Sequence, residues 1–167
     1  MLKWIGITVI LLSCAAFGNF LALQMKRRAA TLETCRLMIG RFESEIRYNH
    51  AELGGIIHTL SEEPCMENLL FIKSCRLKLG RMDFYSAWEE ALRLNPCSLC
   101  RQDMDVLCSF ARQAGTSDIE TQLTQCRYYE EQLDRRAEEA KMEYEKKGKL
   151  YRSLGVSLGL LAAILMI

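Results

Sequence analysis

The feature that most constrains this chain is a run of 20 residues without a charged side chain, between positions 4 and 23. A helix rises about 1.5 Å per residue, so the run reaches roughly 30 Å, the thickness of the hydrocarbon layer of a bilayer. One basic residue precedes the run and three follow it at positions 26–28. This length and these flanks predict a transmembrane anchor within residues 1–25.

A cleaved signal peptide is the alternative interpretation of the same run. The stretch Leu11–Cys14 resembles a lipoprotein cleavage box. However, the apolar run continues for nine residues beyond Cys14, whereas a signal peptide usually has a shorter apolar region that then turns polar. We therefore expect an anchor that is not cleaved.

A second apolar segment lies at the other end of the sequence. Leu154–Ile167 contains 14 uncharged residues, which reach about 21 Å as a helix. Positions 150–153 extend it if Arg152 directs its charge toward the interface. A buried core helix is the open alternative at this length. Because three lysines at positions 146–149 mark an interface, we expect a transmembrane segment over residues 149–167.

The charges indicate an orientation and exclude one class of function. Both basic flanks face the middle of the chain, and basic residues collect on the cytoplasmic side of membranes. Residues 26–148 are therefore expected in the cytoplasm, with both termini on the opposite side. Between positions 26 and 149 there are 20 basic and 21 acidic residues. Binding of nucleic acid is excluded as the main role, because it requires a basic face.

Helical periodicity continues through the middle of the chain. Apolar residues recur at steps of three and four along positions 32–53, and no Pro or Gly separates this stretch from the first apolar segment. Ser117–Glu120 has the pattern of a capping box, and an apolar seam with steps of four and three follows it to Tyr144. These patterns predict two long helices that leave the membrane side by side.

Shorter helices are predicted between the two long ones. The fold class is therefore all-α: a membrane-anchored helical bundle of about six soluble helices with N- and C-terminal transmembrane helices. The first predicted short helix follows Gly54–Gly55 and ends before Pro64, and the second is Met66–Leu79, closed by Gly80. The third opens with a capping box at Ser86–Glu89 and runs to Leu94, and the fourth is Cys97–Ala114, closed by Gly115.

One motif has the spacing of a thiol or metal site. Cys97 and Cys100 form a CxxC pair, which is half of a zinc site or a redox pair. The alternative is that these cysteines are reduced, partly buried thiols that act as small apolar side chains. No motif in the sequence predicts catalytic residues or a bound cofactor. The further zinc ligands available are Cys108, Cys126, His50 and His58.

Five other residues are candidates for packing or partner contact. Asp118 and Gln122 lie one turn apart at the start of the last long helix, where they complement the helix dipole or contact a partner. Trp88 is expected in the core, with an interface anchor as the alternative. Gly155 and Gly159 form a small-xxx-small pair, which predicts close packing against the first anchor or a second copy of the chain.

Four stretches of this sequence resemble the stage III sporulation protein AB family of endospore-forming bacteria. They are the first apolar segment with Gly18 near its end, Ser86–Leu92, Gly115–Gln122 and Lys149–Gly159. The resemblance covers essentially the whole chain. Such proteins are similar in turn to the cytoplasmic domains of the inner-membrane platform protein of type II secretion and type IV pilus systems.

The resemblance implies a non-enzymatic platform or adaptor in the channel complex between mother cell and forespore. It implies a place in the mother-cell membrane that surrounds the forespore, with the domain in the mother-cell cytoplasm. The implied partners are the family's secretion-type ATPase and other membrane components of the same complex. The residues alone leave one alternative, a membrane-anchored thiol or zinc protein that uses Cys97 and Cys100.

Overall fold

The structure is a computed structural model that describes the backbone of residues 2–49, 51–115 and 118–166. Side chains are described from position 12 to position 151 apart from 50, 116 and 117, and at positions 153, 154 and 157. Within these residues the secondary structure is helical apart from one bridge between Leu79 and Met82, which confirms the all-α prediction. The helices are α1 (Leu2–Ser44), a π-helical turn (Glu45–Asn49), α2 (Leu53–Glu62), a 3-10 turn (Pro64–Met66), α3 (Leu70–Lys78), α4 (Phe84–Leu94), α5 (Arg101–Gln113) and α6 (Ile119–Met166).

The chain forms two compact units, and α1 and α6 contribute to both. One is a two-helix unit made of Met1–Ala29 and Glu138–Ile167, and the other is a helical domain made of Ala30–Ala137. The two apolar ends of the sequence therefore belong to the same unit. Its limits on α1 and α6 differ from the sequence boundaries, which were set at the ends of the apolar runs.

The helical domain is built around a cluster of aromatic side chains. Phe42 of α1, Trp88 of α4 and Phe110 of α5 are buried and contact one another, with ring centroids 5.3–6.4 Å apart. Phe71 of α3 packs edge-on against Trp88 at 5.2 Å. Burial of such side chains contributes about 1.5–3 kcal/mol each, so this cluster joins four helices of the domain.

The starts of four helices differ from the sequence prediction. Helix α2 begins at Leu53, so it contains Gly54 and Gly55 rather than following them. Helix α3 begins at Leu70 rather than Met66, because a 3-10 turn that starts with Pro64 comes first. Helix α4 begins one turn before the predicted box, since the carboxylate of Asp83 accepts the N–H of Ser86 at 3.0 Å. Asp83 is therefore the N-cap, because its carboxylate accepts a free N–H group of the first turn, and Ser86 lies within that turn.

Helix α5 begins at Arg101, four residues later than predicted. The N–H of Leu99 donates to the carbonyl of Pro96 at 2.8 Å. Cys97 and Ser98 between them have φ of 49° and 69°. This hydrogen-bonded turn in the left-handed region replaces the first predicted turn of helix, so the CxxC motif lies before α5 rather than within it.

In the two-helix unit α1 and α6 lie side by side through small residues. A Cβ atom added to Gly148 would lie 3.8 Å from Cβ of Ala22 and 3.0 Å from the ring of Tyr144. One turn further along, the guanidinium of Arg28 donates to Glu143 at 3.4 Å. Residue numbers rise on one helix as they fall on the other, so the pair is antiparallel.

The structure bears on the predicted membrane segments in one respect. Within the described part of the chain, no helix combines the length and the apolarity needed to cross a membrane. The expected segments at residues 1–25 and 149–167 include positions 1–11, 152, 155–156 and 158–167, whose side chains lie outside the described residues.

Candidate functional site

The start of α6 presents a capped, exposed helix end. The Asp118 carboxylate accepts the backbone N–H of Thr121 at 3.2 Å and its hydroxyl at 2.7 Å. These hydrogen bonds hold the pKa of Asp118 below its usual range, because they favour the charged carboxylate. Ser117, with which the predicted capping box begins, lies outside the described residues. Asp118 therefore stabilises this helix start and also exposes a negative charge.

Gln122 does not share the exposure of Asp118. Its side chain is half-buried and lines a narrow space beside Phe42, Phe110 and Cys126. Gln122 is therefore less accessible to a partner than Asp118. The reason is that Gln122 lies one turn before Cys126 and therefore on the buried seam of α6.

An open groove runs between α5 and α6 of the helical domain. Its volume is about 490 Å³. Tyr128 on its edge is 55% exposed, and its ring packs edge-on against that of Tyr129 at 5.2 Å. Tyrosine and arginine are the residue types that most often dominate protein interfaces. The groove is lined by Gln102, Asp105, Val106, Ser109, Tyr128, Tyr129, Gln132 and Arg136.

An ion pair between α5 and α6, not predicted from the sequence, shares Arg136 with the lining of this groove. Asp103 is fully buried and accepts a hydrogen bond from Arg136 at 3.2 Å. Its second oxygen accepts the N–H of Cys100 at 3.1 Å, which fixes the start of α5. The signal was present in the sequence, since Asp103 occupies the same face of α5 as Leu107, Phe110 and Ala111.

Trp88 lies at the centre of the aromatic cluster. Its side chain has no exposed surface, and its indole N–H has no hydrogen-bond acceptor among the described residues. A buried donor without an acceptor costs free energy, so the ring is held by packing rather than by hydrogen bonding. The structure places Trp88 in the core of the helical domain and not on an interface.

The cysteines differ strongly in their surroundings. All eight are reduced; Cys35, Cys75 and Cys126 are buried, and Cys65 is exposed. Burial raises the pKa of Cys75 to about 12, and that of Cys126 to the same value. Burial also raises the pKa of Cys35, with a smaller effect from Cys97 and Asp103. These buried thiols stay protonated at neutral pH and pack as small apolar groups.

The CxxC pair lies half-buried in the left-handed turn before α5. In the described part of the chain, no three His, Cys, Asp or Glu side chains are arranged to hold a metal ion. His50, one of the candidate ligands, lies outside the described residues. His58 is 2.8 Å from the guanidinium of Arg76, so it is part of the polar surface around α2 and α3.

The two-helix unit carries a charge cluster at the end of an apolar groove. Glu143 accepts hydrogen bonds from Arg28 at 3.4 Å and from Lys147 at 2.5 Å. Lys147 is the main cause that lowers the pKa of Glu143, and Arg28 adds to it. The surroundings of Gly155 and Gly159 lie outside the described residues. The groove has a volume of about 550 Å³ and is lined by Ser13, Cys14, Phe17, Gly18, Leu21, Tyr151 and Leu154.

The fold and these surfaces define an all-α protein in which a helical domain is joined to a pair of long helices. The chain belongs to the stage III sporulation protein AB family, whose profile matches residues 3–167. It is similar to "Stage III sporulation protein AB" of Bacillus subtilis strain 168, with 26% identity over a 174-residue alignment that covers 99% of both chains. No solved structure matches the chain. The family resemblance is thereby confirmed, and with it a role in sporulation.

Proposed function

We propose that this protein is a non-enzymatic adaptor of the channel complex between mother cell and forespore. Its two apolar ends anchor it in the mother-cell membrane that surrounds the forespore. The helical domain lies in the mother-cell cytoplasm and docks the secretion-type ATPase of the same complex. The family to which the chain belongs is named for sporulation and not for an enzymatic reaction, which supports this role.

The observation that carries the proposal is the combination of family membership with the layout of the chain. Both uncharged ends of the sequence belong to the two-helix unit. The residues between them form a domain with its own aromatic core. A domain with its own core can present a docking surface while the ends of the chain lie in another environment.

We place the ATPase contact on the side of the domain formed by the start of α6 and the groove between α5 and α6. Asp118 supplies an exposed negative charge there. Tyr128 supplies a large exposed ring that a partner could cover at little cost in conformational freedom, since tyrosine has two side-chain torsions. Gln122 is half-buried one turn after Asp118, so only its exposed part contributes to this surface.

Crosslinking in sporulating cells tests the location of this contact. A photoreactive amino acid at position 118, 128 or 132 should give a crosslink to the ATPase, identified by its mass. Lys73 and Leu77 are exposed on α3 and are the matched control positions. Equal crosslink yields from α3 and α6 would contradict the proposed surface. Crosslinks from α3 alone would assign the ATPase contact to α3 instead.

Two substitutions of Asp118 separate its charge from its capping role. Asp118→Asn keeps a good cap, whereas Asp118→Lys loses the cap and the favourable dipole term, about 0.3–1 kcal/mol. The reversed charge should weaken assembly and reduce spore formation in a protein that remains folded and membrane-bound. Circular dichroism of both variants provides the folding control. A folded Asp118→Lys variant that assembles normally would show that Asp118 is not part of the contact.

A further inference from the structure

The apolar groove of the two-helix unit has a composition that restricts what can occupy it. Phe17 lines it and is 64% exposed within the chain, so its ring is accessible to an apolar occupant. The lining extends from Ser13 to Leu21 on α1, which is about 12 Å along the helix axis. No charged side chain is among the described residues that line it. An extended apolar chain therefore fits this groove.

Two cations lie in line with the groove, one on each helix. Arg28 follows Leu21 by seven residues, and Lys147 precedes Tyr151 by four, so each lies on the helix face that lines the groove. Both donate to Glu143. These three side chains, two cations and one carboxylate, together carry one net positive charge, and they lie beyond the apolar lining. An occupant that is apolar at one end and anionic at the other complements both features.

We propose that the two-helix unit binds one anionic phospholipid, with an acyl chain in the apolar groove and its phosphate between Arg28 and Lys147. This inference rests on the membrane location proposed above. A helix from a second copy of the chain would also fill the groove, and chain-to-chain crosslinks distinguish that outcome from a bound lipid. The phosphate can accept hydrogen bonds from the same donors that now share Glu143, and basic pockets between helices recognise lipid headgroups in this manner.

The other basic residues of the unit provide a matched control. Arg27 and Lys149 are exposed at the same level of the helix pair. Successive residues of a helix turn by about 100°, so these two side chains point away from the groove-lining faces. Their replacement removes the same number of charges as replacement of Arg28 and Lys147. A diffuse attraction to an anionic surface would be weakened equally by both changes, whereas a specific site would not.

The test uses the full chain in lipid nanodiscs with photoactivatable acyl chains. The probes are phosphatidylglycerol and phosphatidylcholine that carry the same reactive chain, and crosslinked peptides are located by mass spectrometry. Labelling around Phe17, Leu21 and Leu154 should be about five- to thirty-fold stronger with the anionic probe, as expected for one to two effective cations. Arg28→Gln/Lys147→Gln should abolish this difference, and Arg27→Gln/Lys149→Gln should retain it.

Charge-conserving substitutions and localisation make the outcomes distinct. Arg28→Lys/Lys147→Arg should keep the lipid preference, which excludes a mere loss of folding as the cause in the glutamine variant. Equal labelling by both probes in a membrane-bound protein would overturn the lipid site and leave the anchor intact. Chain-to-chain crosslinks from Phe17 in place of lipid adducts would assign the groove to a second copy. Failure of the chain to enter nanodiscs would overturn both the anchor and the site.

Discussion

Gly115 occupies a position where the backbone and a neighbour both restrict the residue type. Its φ is +77°, and a Cβ atom there would lie 2.7 Å from Cδ1 of Leu53. Gly54 differs in both respects, because it lies within α2 and a Cβ atom would have no neighbour within 4 Å. The two glycines therefore have opposite roles: one permits a left-handed turn, and the other weakens a helix.

These two positions give a pair of opposite predictions. Gly115→Ala should lower the free energy of unfolding by about 1–2 kcal/mol, because a side chain in the left-handed region is strained. Gly54→Ala should raise it by about 0.5 kcal/mol, because alanine favours the helix. Denaturant unfolding of the full chain in detergent, followed by circular dichroism, measures both. A loss of stability in Gly54→Ala would contradict the open space described around it.

Trp88 is the core side chain whose removal we expect to lower the free energy of unfolding most. Trp88→Ala should lower the free energy of unfolding by about 3–5 kcal/mol, through the lost transfer free energy and the cavity left among four aromatic rings. Trp88→Phe should cost less, because it keeps a ring and removes an indole N–H that has no acceptor among the described residues. Thermal melts of the two variants check this order. Equal melting temperatures would show that the cluster does not depend on this ring.

At the residue scale, glycines correctly predicted where helices end, whereas the CxxC motif did not predict the left-handed turn before α5. Gly80 and Gly115 were expected to close helices, and both adopt positive φ. The left-handed turn at Cys97 and Ser98 could not be predicted, because neither residue type favours that region. Its cause is the hydrogen bond from Leu99 to Pro96, which the sequence does not reveal.

At the scale of elements, the existence of the helices followed from the sequence better than their starts. The apolar periodicity that predicts α1 and α6 extends over many turns, so local exceptions do not obscure it. The helices α4 and α5 have starts defined by single capping groups, Asp83 and Asp103, whereas α3 starts after a 3-10 turn. A capping interaction depends on a side-chain geometry that several candidate residues in one loop can satisfy.

The ion pair between α5 and α6 predicts how strongly these two helices depend on each other. Arg136→Met should lower the free energy of unfolding by about 3 kcal/mol, because it removes the guanidinium that pairs with the fully buried Asp103. We take the low end of the usual range because the Arg136 side chain is itself 25% exposed. Denaturant unfolding measures the loss.

The adjacent arginine is the control for this prediction. Arg135 pairs with Glu131 one turn earlier on the same helix, and both side chains are well exposed. Arg135→Met should change the free energy of unfolding by less than about 1 kcal/mol, as for other surface ion pairs. Comparable losses in the two variants would mean that methionine disturbs α6 and that the buried pair is not the cause.

At the scale of the whole molecule, the exposed Cys65 is a reporter of topology. A membrane-impermeant thiol reagent applied to intact cells should leave Cys65 unlabelled, because we propose that the helical domain faces the cytoplasm. Permeabilised cells should show labelling, since Cys65 is exposed. Labelling of Cys65 before permeabilisation would reverse the proposed orientation. The buried Cys126 should react slowly in both cases and controls for unfolding.

The helical class and the two long helices were predictable from the sequence, but the contacts between the two ends of the chain were not. Apolar ends, mixed charges and continuous periodicity together predict a helical protein with two long helices. The pairing of Ala22 with Gly148 and of Arg28 with Glu143 depends on the register between distant segments. Nothing within either segment alone determines that register, and so the apolar and charged ends of the groove appear only in the structure.

The antiparallel pairing of the chain ends has a consequence for biosynthesis. Arg28 and Glu143 are 115 residues apart, and ribosomes add roughly 5–20 residues per second. The first half of α1 therefore waits about 6–23 s for its partner after it has been translated. The small-residue surface around Ala22 has no partner from this chain during that interval. Its exposure to chaperones, insertion factors and neighbouring nascent chains is thus set by the speed of elongation, and slow codons between α2 and α5 would lengthen it.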